Sequence, residues 1–515
     1  MIACYTDTLS AHPGETVRLF ASSADPDCRL EIARVGQARD VVATLAVPGV
    51  ADAPTPANAD RDGCDWPQAL AFEVGAAWRS GYYDLVLSNA AGERTHHFLV
   101  VKPAVEGPRA GGPRVRAALV LATNTYHAYN WWGGANSYCD VTRLLARQGT
   151  LPECMEGAIG VLSARRPFAQ NIVAMAPGGP RLMNEGVRAF GERPRTDKPA
   201  FWREHGLSPY DGAAGFLNKW EHLFVAWAEA EGVALDYFTD VDLEAGPQVL
   251  APYACMLAVG HSEYWSAPQR DAVEAFVDGG GRLAIFSGNT CYWKVRWEDG
   301  GRTLVAHKWK GETAEPGAGA NGTHMWSHPN FGRPEAELTG LTFLYGGYHR
   351  LGMCASNGSG AYTVYDDSHW ALDGADVWYG DALGMTTPLL AYENDGCLMT
   401  FGEDGLPKPV PRLGVPAGLQ IIAIAPVSYG EDRTKGYRPV LPPEDFSQAA
   451  NVAFGDDGPA AQSRLLRGHA VMASFQRGQG EVFNCGTTEW AYGLAAGDPH
   501  LRAITLNVLS RFGAI

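Results

Sequence analysis

Polar and apolar residues alternate through the first hundred positions. Thr16-Val17-Arg18-Leu19 alternates and runs on into Phe20-Ala21, and Leu30–Val35, Tyr82–Leu87 and His96–Val101 are further β-rich runs. Pro13-Gly14-Glu15 and Asn89–Glu93 supply turns between them. Short strands at this spacing predict an immunoglobulin-like β-sandwich over residues 1–104. Ala51–Asp65, rich in Ala, Pro and Asp, reads as a surface loop.

The pattern changes after a Pro/Gly linker at 105–114. Arg116–Ala122 is almost continuously apolar, as expected of a strand buried on both faces. Phe216, Leu217, Trp220, Leu223, Phe224 and Trp227 recur at helical spacing and predict a helix over 216–230. Ala234–Phe238 and Tyr253–Val259 read as strands. Ser266 with Gln269 makes a capping box for a helix over 267–278, Gly279-Gly280-Gly281 ends it, and Arg282–Ser287 is the next strand. A helix at about 498–511 closes the chain. The fold class is therefore α/β plus all-β. Residues 115–515 are expected to form a mainly parallel sheet with helices on both faces. Long excursions are expected at 170–215 and 294–480, the second with extra strands.

The chain has 515 residues and a net charge of −16, which argues against a broad nucleic-acid surface. Its ten cysteines are scattered without a C-x-x-C pair, so reduced thiols are expected rather than a zinc or disulfide framework. Met1–Asp7 has neither a basic nor an apolar leader region, and no apolar run is long enough to cross a bilayer. A cytoplasmic location is the expectation.

Ligands in such sheets bind beyond the carboxyl ends of the strands. Three strand ends carry dense chemistry: Asn124–Gly134 with Tyr138, Gly260–Trp265, and Gly288-Asn289 with Tyr292-Trp293. Imidazole, carboxylate, phenols and a carboxamide can meet there. They offer an acid/base pair, an oxyanion donor and hard oxygen donors that suit ferric iron better than zinc.

These residues resemble the large (beta) subunit of N,N-dimethylformamidase and its relatives. Asn124-Thr125-Tyr126-His127-Ala128-Tyr129-Asn130, Gly260-His261-Ser262-Glu263-Tyr264-Trp265-Ser266 and Gly288-Asn289 with Tyr292-Trp293 carry the likeness, supported by Asp236-Tyr237 and Thr239-Asp240. The resemblance implies an amidotransferase-like α/β catalytic domain that hydrolyses small N-substituted amides. It implies one ferric ion (Fe3+) held by two tyrosines and a glutamate. Glu263 matches the glutamate ligand, His261 the histidine beside it, Asn289 an asparagine near the substrate, and Glu393 a proton-handling glutamate. Tyr129 is the choice for the first tyrosine, with Tyr126 as alternative. The second is expected after an Arg-Pro pair, where this chain reads Arg166-Pro167-Phe168. Tyr138 or Tyr210 is then the substitute, and Tyr138 is taken as the ligand. The resemblance also implies a small amide substrate, a small accessory subunit and a homo-oligomer.

Two other readings compete. Ser262 or Cys255 would be the nucleophile of a metal-free amidase, although Gly260–Tyr264 lacks the second glycine of a nucleophile elbow. Alternatively, Phe168 marks a decayed metal site in a binding or assembly protein. His324-x-x-x-His328 has helical metal spacing, but Gly322 and Pro329 around it argue for a loop.

Overall fold

A computed structural model describes residues 2–104, 116–141, 157–175, 211–308, 321–349, 358–387, 389–429 and 443–515. The expected linker and most of the 170–215 excursion fall outside these residues.

The alternating N-terminal runs form two sheets. Ile2–Thr6, Thr16–Ser23 and Gln68–Glu73 make a three-stranded sheet; Ser10–Ala11, Arg94–Val101, Gly81–Asn89, Cys28–Val35 and Arg39–Val47 make a five-stranded one. Val17, Leu19, Leu30, Ile32, Tyr83, Leu85 and Leu99 fill the space between them. The other face of the five-stranded sheet is also buried. Tyr82, one residue out of phase with Tyr83, stacks on Phe216 with ring centroids 4.0 Å apart. The stretch Ala51–Asp65 is not simply a surface loop. Its Ala59 and Cys64 are buried, and Asp60 accepts a hydrogen bond from the Ala135 amide at 2.8 Å.

The larger unit is built on a nine-stranded sheet. Leu235–Thr239, Ala117–Leu121, Cys255–Gly260, Arg282–Ser287 and Gly480–Asn484 lie side by side and parallel. Gly468–Arg477, Gln420–Val427, Tyr362–Val364 and Ala382–Leu383 extend the sheet antiparallel. The sheet is thus mixed rather than mainly parallel, because antiparallel strands from the C-terminal half complete it. Apolar residues of the parallel strands are buried on both faces, as their unbroken hydrophobicity requires.

Helix Ala267–Asp278 begins with the expected box: the Ser266 hydroxyl and the Gln269 side chain each accept from the other's backbone amide. The Trp-rich helix is shorter than its periodicity predicts and spans Trp220–Ala230. Its entry is fixed by Lys219, whose buried ammonium donates to the carbonyls of Asn171, Ile172, Asp211 and Ala214. Such distant acceptors override local spacing.

Gly260 ends its strand at φ +78°, and a Cβ there would lie 2.7 Å from that of Trp220. The turn therefore needs glycine twice over, for its backbone angle and for the passing helix. It delivers His261 to the carboxyl end of the sheet. Among the described residues, no helix is long and apolar enough to cross a membrane.

Candidate active site

Helix Thr123–Tyr129 starts directly after strand Ala117–Leu121 and ends on Tyr129. Asn136 ties the next turn to it: its amide donates to the Tyr129 carbonyl at 3.1 Å, and its Oδ1 accepts from the Tyr138 amide at 2.9 Å. Tyr129 and Tyr138 thereby face one spot. Glu263 arrives from the neighbouring strand end, where its backbone amide donates to Thr125 Oγ1 at 3.1 Å.

The three side chains meet. The Tyr129 hydroxyl donates to Glu263 Oε2 at 3.0 Å, and the Tyr138 hydroxyl donates to Oε1 at 2.9 Å. Tyr264 donates to the Tyr138 oxygen at 2.7 Å, and the Tyr392 oxygen lies 3.4 Å from that of Tyr129. All are buried. Burial first, and the carboxylate beside them second, push the Tyr129 and Tyr138 phenols well above the ordinary tyrosine range. Burial also pushes Glu263 up to about 7, against the opposing pull of His261.

Beside this cluster stands a second group of titratable side chains. His261 donates from Nδ1 to the Ala213 carbonyl at 2.7 Å. Its Nε2 lies 2.6 Å from Glu393 Oε2 and 3.3 Å from Glu263 Oε2. Both contacts pair the imidazole with a carboxylate. Burial opposes the charge on His261, but Glu393 and Glu263 outweigh it and raise the imidazole to about 9. Asn289 Nδ2 donates to the same Glu393 oxygen at 3.2 Å. The structure thus brings together Tyr129, Tyr138, Glu263, His261, Asn289 and Glu393. Glu393 does not come from the main sheet. It lies on strand Tyr392–Gly396, paired antiparallel with Thr342–His349 inside the 294–480 excursion.

Other candidates lie elsewhere. The Tyr126 hydroxyl donates to buried Glu221. Tyr210 is outside the described residues. Phe168 packs against His97, Phe98 and His127. His127 precedes Tyr129 by two helical positions, so the two side chains diverge by roughly 200° around the helix axis. Phe168 is therefore on the far side of this helix from the phenol cluster.

Cys255 is buried within its strand, and burial pushes its thiol up to about 12, which leaves no thiolate at neutral pH. The Ser262 hydroxyl accepts from the Trp265 indole at 2.9 Å. His324 and His328 sit in a loop with ring centroids 4.4 Å apart, and His324 Nδ1 accepts from the Met325 amide at 2.7 Å.

Two neighbours escaped the sequence reading. Lys308 Nζ lies 3.3 Å from the ring centroid of Tyr138. Asp395 accepts the backbone amides of Asn289 and Thr290 at 2.9 and 3.2 Å. The spacing of Glu393 and Asp395, two apart on a strand, was the available signal for Asp395. Nothing in the local pattern marks Lys308.

Among the described residues, no three His, Cys, Asp or Glu side chains form a metal cage. The hard donors that do converge are phenols around a single carboxylate. Such a set, beside an imidazole and a second carboxylate, can bind a hard cation and move protons. No curated protein matches the chain significantly. A family model described as "N,N-dimethylformamidase beta subunit-like, C-terminal" matches residues 29–502, which takes in most of both sheet units, and the protein therefore belongs to that family.

Proposed function

We propose that the protein hydrolyses small N-substituted amides, with Tyr129, Tyr138 and Glu263 as ligands of a ferric ion. The observation that carries this reading is the grip of two phenols on the two oxygens of Glu263. The donors fit the ion. All are hard oxygens, all are buried, and each phenol is costly to ionise there without a cation nearby. A ferric ion bound at these oxygens supplies Lewis acidity for an amide carbonyl or a water molecule.

The chain's own groups handle the rest. Charged His261 keeps its proton at neutral pH, so Glu393 is the base that takes a proton from the attacking water. The water oxygen adds to the amide carbon, and the second N–H of the Asn289 amide donates to the resulting oxyanion. The carbon–nitrogen bond then breaks, and the proton held by Glu393 passes to the departing amine. A carboxylic acid and an amine leave, and at neutral pH the acid passes its proton to the amine.

The same reading takes residues 1–104 as an immunoglobulin-like sandwich and 115–515 as an amidotransferase-like catalytic domain. A small accessory subunit and self-association belong to it. The eight cysteines among the described residues are all free and buried, which supports a reducing, cytoplasmic setting.

Elemental analysis and amide hydrolysis in the wild type and Glu263→Ala test the proposal. Stoichiometric iron and activity are expected in the first, and loss of both in the second. Iron content unchanged by the substitution removes Glu263 as a ligand. A wild-type protein without iron and without amidase activity favours the binding-protein reading.

A further inference from the structure

Strand Tyr392–Gly396 presents Glu393 and Asp395 on one face and Asn394 on the other, where the Asn394 amide donates to the Gly347 carbonyl at 3.1 Å. Glu393 meets His261 and the Asn289 side chain. Asp395 meets the backbone of the same asparagine. Its Oδ1 accepts the Asn289 N–H at 2.9 Å and its Oδ2 the Thr290 N–H at 3.2 Å. Asp395 is itself anchored, because its own amide donates to the Gly486 carbonyl at 3.0 Å.

The turn it grips is a strained one. Asn289 has φ 52° and Cys291 φ 58°, both left-handed and neither glycine. Such a conformation persists only where the surroundings over-determine it. Two hydrogen bonds to the Asp395 carboxyl group, one on each oxygen, supply that restraint. The turn in turn aims the Asn289 amide at Glu393. One short strand thus carries both the proton-handling carboxylate and the clamp on its partner.

We infer that Asp395 is a positioning residue of the active site, acting through Asn289: it holds the Asn289–Thr290 turn in the left-handed conformation that directs the Asn289 carboxamide toward Glu393 and the reacting carbonyl. The kinetic part of this inference rests on the amide-hydrolase reading; the structural part does not. None of the hydrogen bonds that Asp395 forms reaches His261 or the phenols, so its hold on the site runs through the Asn289–Thr290 turn.

Asp395→Asn is the informative change. It keeps the volume but offers one acceptor to two backbone donors and sets an N–H₂ against the other. Hydrogen exchange by mass spectrometry is measured on the peptide spanning 288–292, with the one spanning 267–278 as reference. Exchange at 288–292 is expected to quicken by about tenfold or more, while the reference stays as in the wild type. In steady-state hydrolysis of small N-substituted amides by the iron-loaded protein, kcat is expected to fall by about tenfold or more with KM changed less than about twofold. Added to Asn289→Ala, the same change is expected to cost nothing further. A purely structural role predicts the same loss in both backgrounds, and that result overturns the inference. So does unchanged exchange at 288–292. If the wild type hydrolyses no amide, the proposed activity fails, and the exchange comparison still decides whether Asp395 holds the turn. Should Asp395→Asn not fold, Asp395→Ser, which also leaves one acceptor, takes its place in the same measurements.

Discussion

Tyr138 donates its phenolic proton to Oε1 of Glu263 across 2.9 Å, although 125 positions separate them in the chain. The partner oxygen, Oε2, is taken by Tyr129. Two phenols and one carboxylate therefore stand together without any contribution from the position after Arg166-Pro167. That Arg166-Pro167 pair has another task. The buried Arg166 guanidinium donates to the carbonyls of Asn130 and Ser163 at 3.0 Å each, pinning the chain against the end of helix Thr123–Tyr129.

This arrangement separates two candidate ligand positions. Tyr138→Phe is expected to lower iron occupancy by at least about tenfold, since the proposed set of three protein ligands loses one member. Phe168→Tyr is expected to leave occupancy unchanged in the wild type and not to rescue Tyr138→Phe. The new hydroxyl would sit among His97, Phe98 and His127. Iron quantified in the four proteins decides the matter. Restored iron in the double variant would transfer the ligand role to position 168.

Proton release should accompany iron uptake. Both phenols are protonated in the metal-free protein, with burial holding them well above the ordinary range. Each must lose its proton to become a ligand, so binding releases protons and apparent affinity rises with pH. The expected gain is up to about tenfold per pH unit for each proton displaced. Ferric titration of the apoprotein in two buffers of different ionisation enthalpy measures the number released. Uptake without proton release would exclude the phenols as ligands.

The elements around this site were readable where their causes are local. The box at Ser266 and Gln269 and the apolar strands beside it depend on neighbours in the sequence. What depended on distant partners was not readable. The Trp220 helix starts late because Lys219 is held by carbonyls from Asn171 to Ala214. The antiparallel half of the sheet, Gln420–Val427 and Gly468–Arg477, lay within a stretch whose Gly and Pro content reads as excursion. The motif around Glu263 pointed to His261 and Asn289. The clamp of Asp395 on Asn289 follows only from a contact between residues 106 positions apart.

The sandwich-facing side of the molecule gives a pH prediction. His97 Nε2 accepts from the Thr6 amide at 3.2 Å, and burial lowers the imidazole from 6.5 to about 3. Between these values the unfolded chain binds the proton and the folded protein does not. Stability from this group is therefore complete above pH 6.5 and is lost as pH falls, by at most about 1.4 kcal/mol per unit. His97→Gln keeps an acceptor for Thr6 and cannot titrate. Its melting temperature is expected to fall less than that of the wild type between pH 7 and 5. Parallel curves would show that His97 does not set the acid limb.

At Gly288 the turn before Asn289 meets the backbone of the Glu393 strand. A Cβ at this position would lie 2.4 Å from the Glu393 carbonyl oxygen and 2.7 Å from the Thr488 amide nitrogen. Both are backbone atoms, so no side chain can swing away to make room. Thr488 donates its amide to that same Glu393 carbonyl at 3.1 Å, which ties the two obstacles into one unit. Gly288→Ala must therefore push either the Asn289 turn or the Glu393 strand outward. Overpacking of this kind costs about 1–3 kcal/mol of stability. The displacement also lengthens the 3.2 Å contact between Asn289 and Glu393, on which the proposed oxyanion and proton handling both depend. Activity is expected to fall by about tenfold or more, with iron content retained because Tyr129, Tyr138 and Glu263 lie on other segments. Iron lost in parallel with activity would instead mean that this turn and the phenol cluster move as one body.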